Sequence, residues 1–231
     1  MRIGIFGGSF NPVHNGHIHL AKTAAAEFSL DRIFFVPSRI SPHRSMTEYA
    51  AAEDRLEMLR LACANEPLFE VCDYELRSDR VSYTIYTIEY FRSRFPDDEL
   101  FLLVGSDMLL SFDKWFCYEK ILAQASLCVI SRHKGDSAEL KKKSQELKKL
   151  GKIYVSESLP LVISSTEIRK KIAKNKDFTC YLDKNVVQYI RLKGLFSLRG
   201  DTKMLYDPET KKKYLKENLS AKRYTHSLNV A

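Results

Sequence analysis

In the stretch GGSFNPVHNGH, residues 7–17, His14 and His17 stand three positions apart on a glycine-bearing turn behind an apolar run, with His19 two further on. Imidazoles so placed have three chemistries open to them. They can serve as a polar turn and helix start. They can form part of a metal site, although no neighbouring carboxylate or cysteine completes a set at ligand spacing. Or they can donate hydrogen bonds to phosphoryl oxygens, and this suits the pattern best, because phosphoryl transfer is catalysed mostly by positioning and charge stabilisation. Gly7 and Gly8 are expected to adopt backbone geometry closed to other residues and to let a ligand approach the main chain. A helix opening near Gly16 would aim N–H groups and the positive end of its dipole into the turn. Other phosphate motifs are excluded: the chain holds no G-x-x-x-x-G-K-[ST], and Gly4, Gly7 and Gly8 do not make G-x-G-x-x-G.

A second anion-binding pattern lies in VISSTEIRKKI, Val162 to Ile172, which reads as strand, cap and helix. Ser164 with Glu167 fits a capping box, an ordinary helix start. Ser165, Thr166 and Arg169 add two hydroxyls and a guanidinium to the first turn, where the helix dipole already favours an anion.

Both patterns need a frame that holds them. Strand-length apolar runs recur at Arg2 to Phe6, Arg32 to Pro37, Glu99 to Gly105 and Leu127 to Ser131. Helical patterns lie between them. His17 to Phe28 is alanine-rich, Ala51 to Ala64 carries Leu56, Leu59 and Cys63 at helical spacing, and Thr84 to Phe95 carries Ile85, Ile88 and Phe91. Ala138 to Leu150 and Asp183 to Lys193 follow, with Gly194 suited to ending the last helix. Continuous apolar strands separated by amphipathic helices predict an α/β fold, a Rossmann-like open parallel sheet with helices on both faces. Ligands of such sheets bind beyond the carboxyl ends of the strands, which is where the His14–His17 turn falls.

Composition agrees with one sizeable core: 231 residues, 45% hydrophobic and 29% charged. No run approaches the roughly 18 apolar residues that span a bilayer, and the first residues lead straight into a strand, so a cytoplasmic protein without membrane partners is expected. Five cysteines, odd in number and without a C-x-x-C pair, read as buried small apolar residues. The formal charge is +8, and about half of the excess falls after Phe196, so nucleic acid is not an expected partner while anionic substrates remain open.

GGSFNPVHNGH resembles the H-x-G-H signature of the nucleotidylyltransferase superfamily, and the Ser164 to Arg169 segment resembles its I-S-S-T-x-[IL]-R motif. Further segments resemble one member family, the bacterial nicotinate-nucleotide adenylyltransferases. SPHR (Ser41 to Arg44) is similar to a loop whose basic residue meets a phosphate, SYT (Ser82 to Thr84) to the turn that receives the nicotinate carboxylate, and GSDM (Gly105 to Met108) to a strand end that holds ribose. DKW (Asp113 to Trp115) looks like the pair whose indole stacks on the pyridine ring. Judged by chemistry alone, Trp115 is as well suited to the core. The resemblance covers roughly Arg2 to Phe196 and includes the closing YLDKNVVQYI. Three departures stand out: Arg80 where that family usually has glycine, Tyr86 where it has aspartate, and Ser38 in place of a frequent asparagine.

The resemblance implies transfer of AMP from ATP to nicotinate mononucleotide without a protein nucleophile. ATP would lie against Gly7, Gly8, Ser9, Phe10, His14, His17, Gly105, Asp107, Ser165, Thr166 and Arg169. The mononucleotide would lie against Ser38, Arg44, Tyr83, Thr84 and Trp115. His14, His17, Arg44 and Arg169 would offset the charge of the reacting phosphates. Mg²⁺ would travel on the phosphates, needing no protein side chains. Pantetheine-phosphate adenylyltransferase shares both phosphate motifs and is the rival enzyme; a nucleotide-binding regulator without turnover is the rival of another class. No sequence feature speaks to oligomeric state.

These features divide the chain into a nucleotidylyltransferase domain, 1–196, and a basic helical tail, 197–231. Within the tail, LKENLSAKRYTHSLNVA resembles the opening helix of HD-domain phosphohydrolases, in which His226 would be a first metal ligand. Its remaining ligands would lie past Ala231, which reads as the start of a fusion cut short.

Overall fold

The computed structural model describes residues 1–39, 49–130, 137–156, 158 and 161–197. Six parallel strands form one sheet in the order β3-β2-β1-β4-β5-β6, with β1 Arg2–Gly8, β2 Arg32–Pro37, β3 Phe69–Val71, β4 Glu99–Gly105, β5 Ser126–Ile130 and β6 Ile153–Val155. The helices are α1 Asn15–Glu27, α2 Ala52–Cys63, α3 Tyr74–Arg77, α4 Thr84–Arg94, α5 Ser106–Leu110, α6 Tyr118–Gln124, α7 Ser137–Leu147, α8 Ser165–Ala173 and α9 Lys184–Lys193. This is the doubly wound parallel sheet expected from the alternation of apolar runs and helices.

Successive strand residues point to opposite faces, and both faces are covered. Ile33, Phe35, Phe101, Leu103 and Cys128 pack with the apolar sides of α1, α2, α8 and α9. Phe34, Val36, Leu100, Leu102 and Val104 pack with α4, α6 and α7. Continuous apolar strands are therefore what this sheet requires. The two edge strands, β3 and β6, span three residues each and are too short to show a pattern in sequence.

Strand order reverses between β1 and β4. Pairing of β1 with β2 runs to Gly8 opposite Pro37 and continues as a bond from the Ser38 N–H to the Gly8 carbonyl. Pairing of β1 with β4 ends at Ile5 opposite Leu102. The last residues of β1 thus leave β4 and open a crevice at the carboxyl edge, the usual ligand position in such sheets.

Several local expectations need correction. Residues 161–164 form no strand, because the sheet closes at β6. In α2 the buried face carries Arg55, Met58, Leu59 and Cys63, and Leu56 is only half-buried. Cys63 and Cys128 are buried as expected, whereas Cys180 is exposed and Cys72 and Cys117 lie between. Helix α7 stops at Leu147. The SPHR segment, Ser131 and the tail from residue 198, His226 included, lie outside the described residues. Asp183 caps α9 by accepting from the Asn185 N–H at 2.7 Å, and Gly194 ends it at φ 59°, a left-handed conformation that favours glycine.

Helix α8 reaches the core through Ile168, 1% exposed. Ile168→Ala is expected to lower unfolding stability by about 2–5 kcal/mol, read from denaturant titration with an unchanged m-value.

Candidate functional site

The turn after β1 is built from below by aromatic packing. Phe10 is buried at φ 45°, a left-handed conformation costing on the order of 1–3 kcal/mol for a non-glycine residue, and its ring is held edge-on to Phe6 with centroids 5.4 Å apart. His17 lies against the same ring, at 5.1 Å. A Cβ on Gly8 would come within 3.1 Å of the Phe10 ring, so Gly8 makes room for Phe10. Neither Gly7 nor Gly8 has a positive φ; both belong to ordinary extended strand, which corrects the expectation of special backbone geometry. Gly7 differs from Gly8 in its surroundings: a Cβ there meets nothing within 4 Å.

His14 is the residue before α1, with φ −148° and ψ 169°, and His17 lies in its first turn. Their rings stack at 3.7 Å with 23° between planes. A Cβ on Gly16 would meet the His14 ring at 3.1 Å, so this glycine lets the imidazole lie against the helix start. The His14 N–H donates to His17 Nδ1 at 3.2 Å. A neutral imidazole that accepts at Nδ1 carries its proton on Nε2, so His17 presents a donor on its far nitrogen. His14 is only 6% exposed, its ring enclosed by the turn it starts.

Helix α8 is tied to this turn. Ser165 Oγ donates to the Pro12 carbonyl at 3.0 Å, and an Arg169 guanidinium nitrogen donates to the Asn11 carbonyl at 2.8 Å. The expected capping box is absent, since the Ser164 side chain makes no cap bond; the hydroxyl beside it reaches across the fold. The structure therefore brings the two anion-binding patterns together, with Thr166 half-buried in the same first turn of α8. Whichever N–H is engaged, the Arg169 charge stays beside the His14–His17 turn.

Arg55 is a residue that the sequence pattern did not single out. It is 2% exposed, and its guanidinium donates to the Ser9 carbonyl at 2.8 Å and to the Ala50 carbonyl at 3.3 Å, above the Tyr49 ring. Ala50 in turn donates its N–H to Asn11 Oδ1 at 3.0 Å. These bonds fix residues 9–11 from beneath, and burial draws the Arg55 pKa below its ordinary value. Hydrogen bonds to a charged donor contribute about 1.5–3 kcal/mol, enough to hold the turn against the strain at Phe10. The signal that could have found it is an arginine on the apolar stripe of α2.

At the neighbouring strand ends Ser38 is buried beside Gly8, and Gly105 ends β4 before an exposed Asp107 in the first turn of α5. Tyr83 and Thr84 open α4, where the Tyr83 N–H is engaged by the Val81 carbonyl at 2.8 Å. Tyr83 packs on Phe116 with centroids at 4.8 Å, and Tyr86 lies near both. Phe116, 48% exposed, was not foreseen. Trp115 is half-buried against Phe112 at 5.0 Å. Its loop is anchored by Lys143 of α7, which bonds Asp113 at 2.8 Å and holds that carboxyl below its ordinary pKa. The Arg80 guanidinium sits 5.9 Å from the Tyr86 ring centroid. Arg44 lies outside the described residues.

The donors gathered here are imidazole, hydroxyl, guanidinium and main-chain N–H, a set suited to phosphate oxygens. Among the described residues no group of three or more His, Cys, Asp or Glu is placed to hold a metal ion, and no helix is long and apolar enough to cross a membrane.

The cytidylyltransferase-like family model matches residues 5–171, a span that includes the His14–His17 turn and the start of α8. A probable nicotinate-nucleotide adenylyltransferase of Clostridium novyi (strain NT) is 40% identical over 184 residues, covering 78% of this chain and 90% of that protein. Another from Dictyoglomus thermophilum is 38% identical, covering 85% of this chain and all of the relative. In three dimensions the chain is similar to Plasmodium falciparum nicotinic acid mononucleotide adenylyltransferase complexed with NaAD, with TM-score 0.70 and 22% identity over 84% of this chain and 97% of that one. At that identity the likeness bears on the fold.

The open face at Gly7 is testable. Gly7→Ala is expected to leave folding stability within about 0.5 kcal/mol, since the added methyl meets no protein atom. If a triphosphate lies against this strand end, the same methyl lowers kcat/KM for ATP by on the order of tenfold or more. Equal kcat/KM in the two proteins would place the nucleotide elsewhere.

Proposed function

Because the chain belongs to the cytidylyltransferase-like family, and within it to the nicotinate-nucleotide adenylyltransferases, we propose that it transfers AMP from ATP to nicotinate mononucleotide, releasing pyrophosphate and forming nicotinate adenine dinucleotide. The observation that carries this reading is the union of two helix starts, α1 and α8, around one turn through the Ser165 and Arg169 bonds. Two helix N-termini, the His17 donor and the Arg169 charge then converge on one place, and that place lies where β1 parts from β4.

In the reaction an oxygen of the mononucleotide 5′-phosphate forms a bond to the α-phosphorus of ATP as the bond from that phosphorus to the bridging oxygen breaks. The electron pair leaves with pyrophosphate. The attacking phosphate is already ionised, so no protein nucleophile or strong base is required. What the chain must supply is alignment of two anions that repel each other, and donors that strengthen as charge moves toward the leaving group. His17, with its Nε2–H, and the α8 start fit that task. ATP would enter with Mg²⁺ on its phosphates, an ion that keeps most of its waters and travels with the substrate.

On the acceptor side, the Tyr83–Phe116 pair and Trp115 offer aromatic faces to a flat pyridine ring. Arg80 adds positive charge beside Tyr86, which supports nicotinate, with its carboxylate, over the neutral amide. The setting we assign is the cytoplasm, whose reducing conditions suit five unpaired cysteines.

Pyrophosphate release should be followed with ATP, Mg²⁺ and, in turn, nicotinate mononucleotide, nicotinamide mononucleotide or phosphopantetheine. Release with the first is expected; release only with phosphopantetheine would reject the reading, and nucleotide binding without release would make the chain a regulator. His17→Ala is expected to lower kcat by about a hundredfold or more in a protein that still folds.

A further inference from the structure

Arg55 is among the largest fully buried side chains of the molecule, on the inner stripe of α2. Its guanidinium partners among the described residues are the Ser9 carbonyl at 2.8 Å, the Ala50 carbonyl at 3.3 Å and the Tyr49 ring, with no carboxylate beside them. A buried cation held by neutral groups alone costs stability, and an apolar side chain of similar volume would fill the same space at less cost. The reason for the charge lies in the peptide unit that it holds.

Residues 8–10 run along the gap where β1 has left β4. Gly8 directs its carbonyl to the loop after β2, accepting the Ser38 N–H at 2.9 Å, so the Ser9 N–H of that same planar trans peptide points to the β4 side. Arg55 sets the next peptide. With the Ser9 carbonyl drawn to α2, the Phe10 N–H points away from α2. Among the described residues nothing accepts that N–H. A main-chain donor within a packed turn is rarely left without a partner.

Phe10 shows what Arg55 opposes. Its φ of 45° lies in the left-handed region, which a bulky side chain disfavours. Turning the Ser9–Phe10 peptide over would carry that angle to about −135°, in the broad extended region open to any residue. The same rotation would bring the Ser9 carbonyl to where the Phe10 N–H now lies, replacing a donor with an oxygen that repels phosphate. Local conformation favours the turned peptide, and the guanidinium holds the other one.

We propose that Arg55 is a positioning residue for the triphosphate: by holding the Ser9 carbonyl it keeps the Phe10 N–H directed away from α2 as an anion donor, against the conformational preference of Phe10. This rests on the adenylyl-transfer reading given above, and Arg55 itself touches no substrate. Shape matters as much as charge. The planar fork engages Ser9 through Nη1 and Ala50 through Nε at once, which a lysine ammonium on its flexible stem does not reproduce.

The test compares the wild-type chain with Arg55→Lys, which keeps the charge, and Arg55→Met, which is apolar and of similar length. In both, the calorimetric Kd for ATP with Mg²⁺ is expected to rise by about tenfold or more and kcat to fall by on the order of a hundredfold, the scale of one lost anion donor. KM for nicotinate mononucleotide at saturating ATP should change by less than about twofold. A crystal structure of Arg55→Lys should show the Ser9–Phe10 peptide turned over, with a negative φ at Phe10. Should the methionine variant not fold, the lysine variant decides. A lysine variant that binds ATP as wild type does, or that keeps the peptide as it stands, would overturn the proposal, as would a lower melting temperature with equal losses toward both substrates. A wild-type chain that binds ATP but releases no pyrophosphate with nicotinate mononucleotide would defeat the adenylyl-transfer reading alone, and the ATP affinities and peptide orientation would still decide the role of Arg55.

Discussion

Two hydrogen bonds across the fold, from Ser165 to the Pro12 carbonyl and from Arg169 to the Asn11 carbonyl, fix the relation between the first turn of the chain and its eighth helix. Each helix start alone is a weak anion site, because its dipole and N–H groups act only within about a turn. Joined, they bring donors from both helix starts beside one turn. The bonds also satisfy main-chain carbonyls that a buried turn would otherwise leave without partners. Below the turn, Arg55 supplies a second set of donors to Ser9 and Ala50, and Phe10 closes the floor in a strained conformation that this packing sustains.

The sheet sets where this happens. Because β1 leaves β4 after Ile5 and stays with β2 to Gly8, the turn overhangs the gap between the two halves of the sheet. On the reading proposed above, nucleotide phosphates would meet donors from the β1 side, and α4, the loop after β2, Trp115 and Phe116 would form the pyridine side. On the β1 side, main-chain carbonyls are held by the guanidinium groups of Arg55 and Arg169.

The sequence disclosed the frame and the helix starts at His14 and Ser164, because long apolar strands and helix starts are local patterns. His14, His17, Ser165 and Arg169 were legible for that reason. What stayed hidden was non-local. The partner of the Ser165 hydroxyl lies 153 residues away, so Ser164 and Glu167 read as a capping box that the fold does not make. Arg55 on the stripe of Met58, Leu59 and Cys63 looks like one charge among the polar residues of an amphipathic helix until the Ser9 carbonyl is placed beside it. Gly8 is required by the ring of Phe10, a contact that no motif records. The strands FEV and IYV fell below the length at which period-two alternation can be recognised.

On the proposed reading, one turn seats the whole triphosphate. A crystal structure of the chain with Mg²⁺ and a non-hydrolysable ATP analogue tests this most directly. Phosphate oxygens are expected within hydrogen-bond distance of His17 Nε2 and of the first turn of α8 at once. A triphosphate bound away from either helix start, with the Ser165 and Arg169 bonds undisturbed, would contradict it.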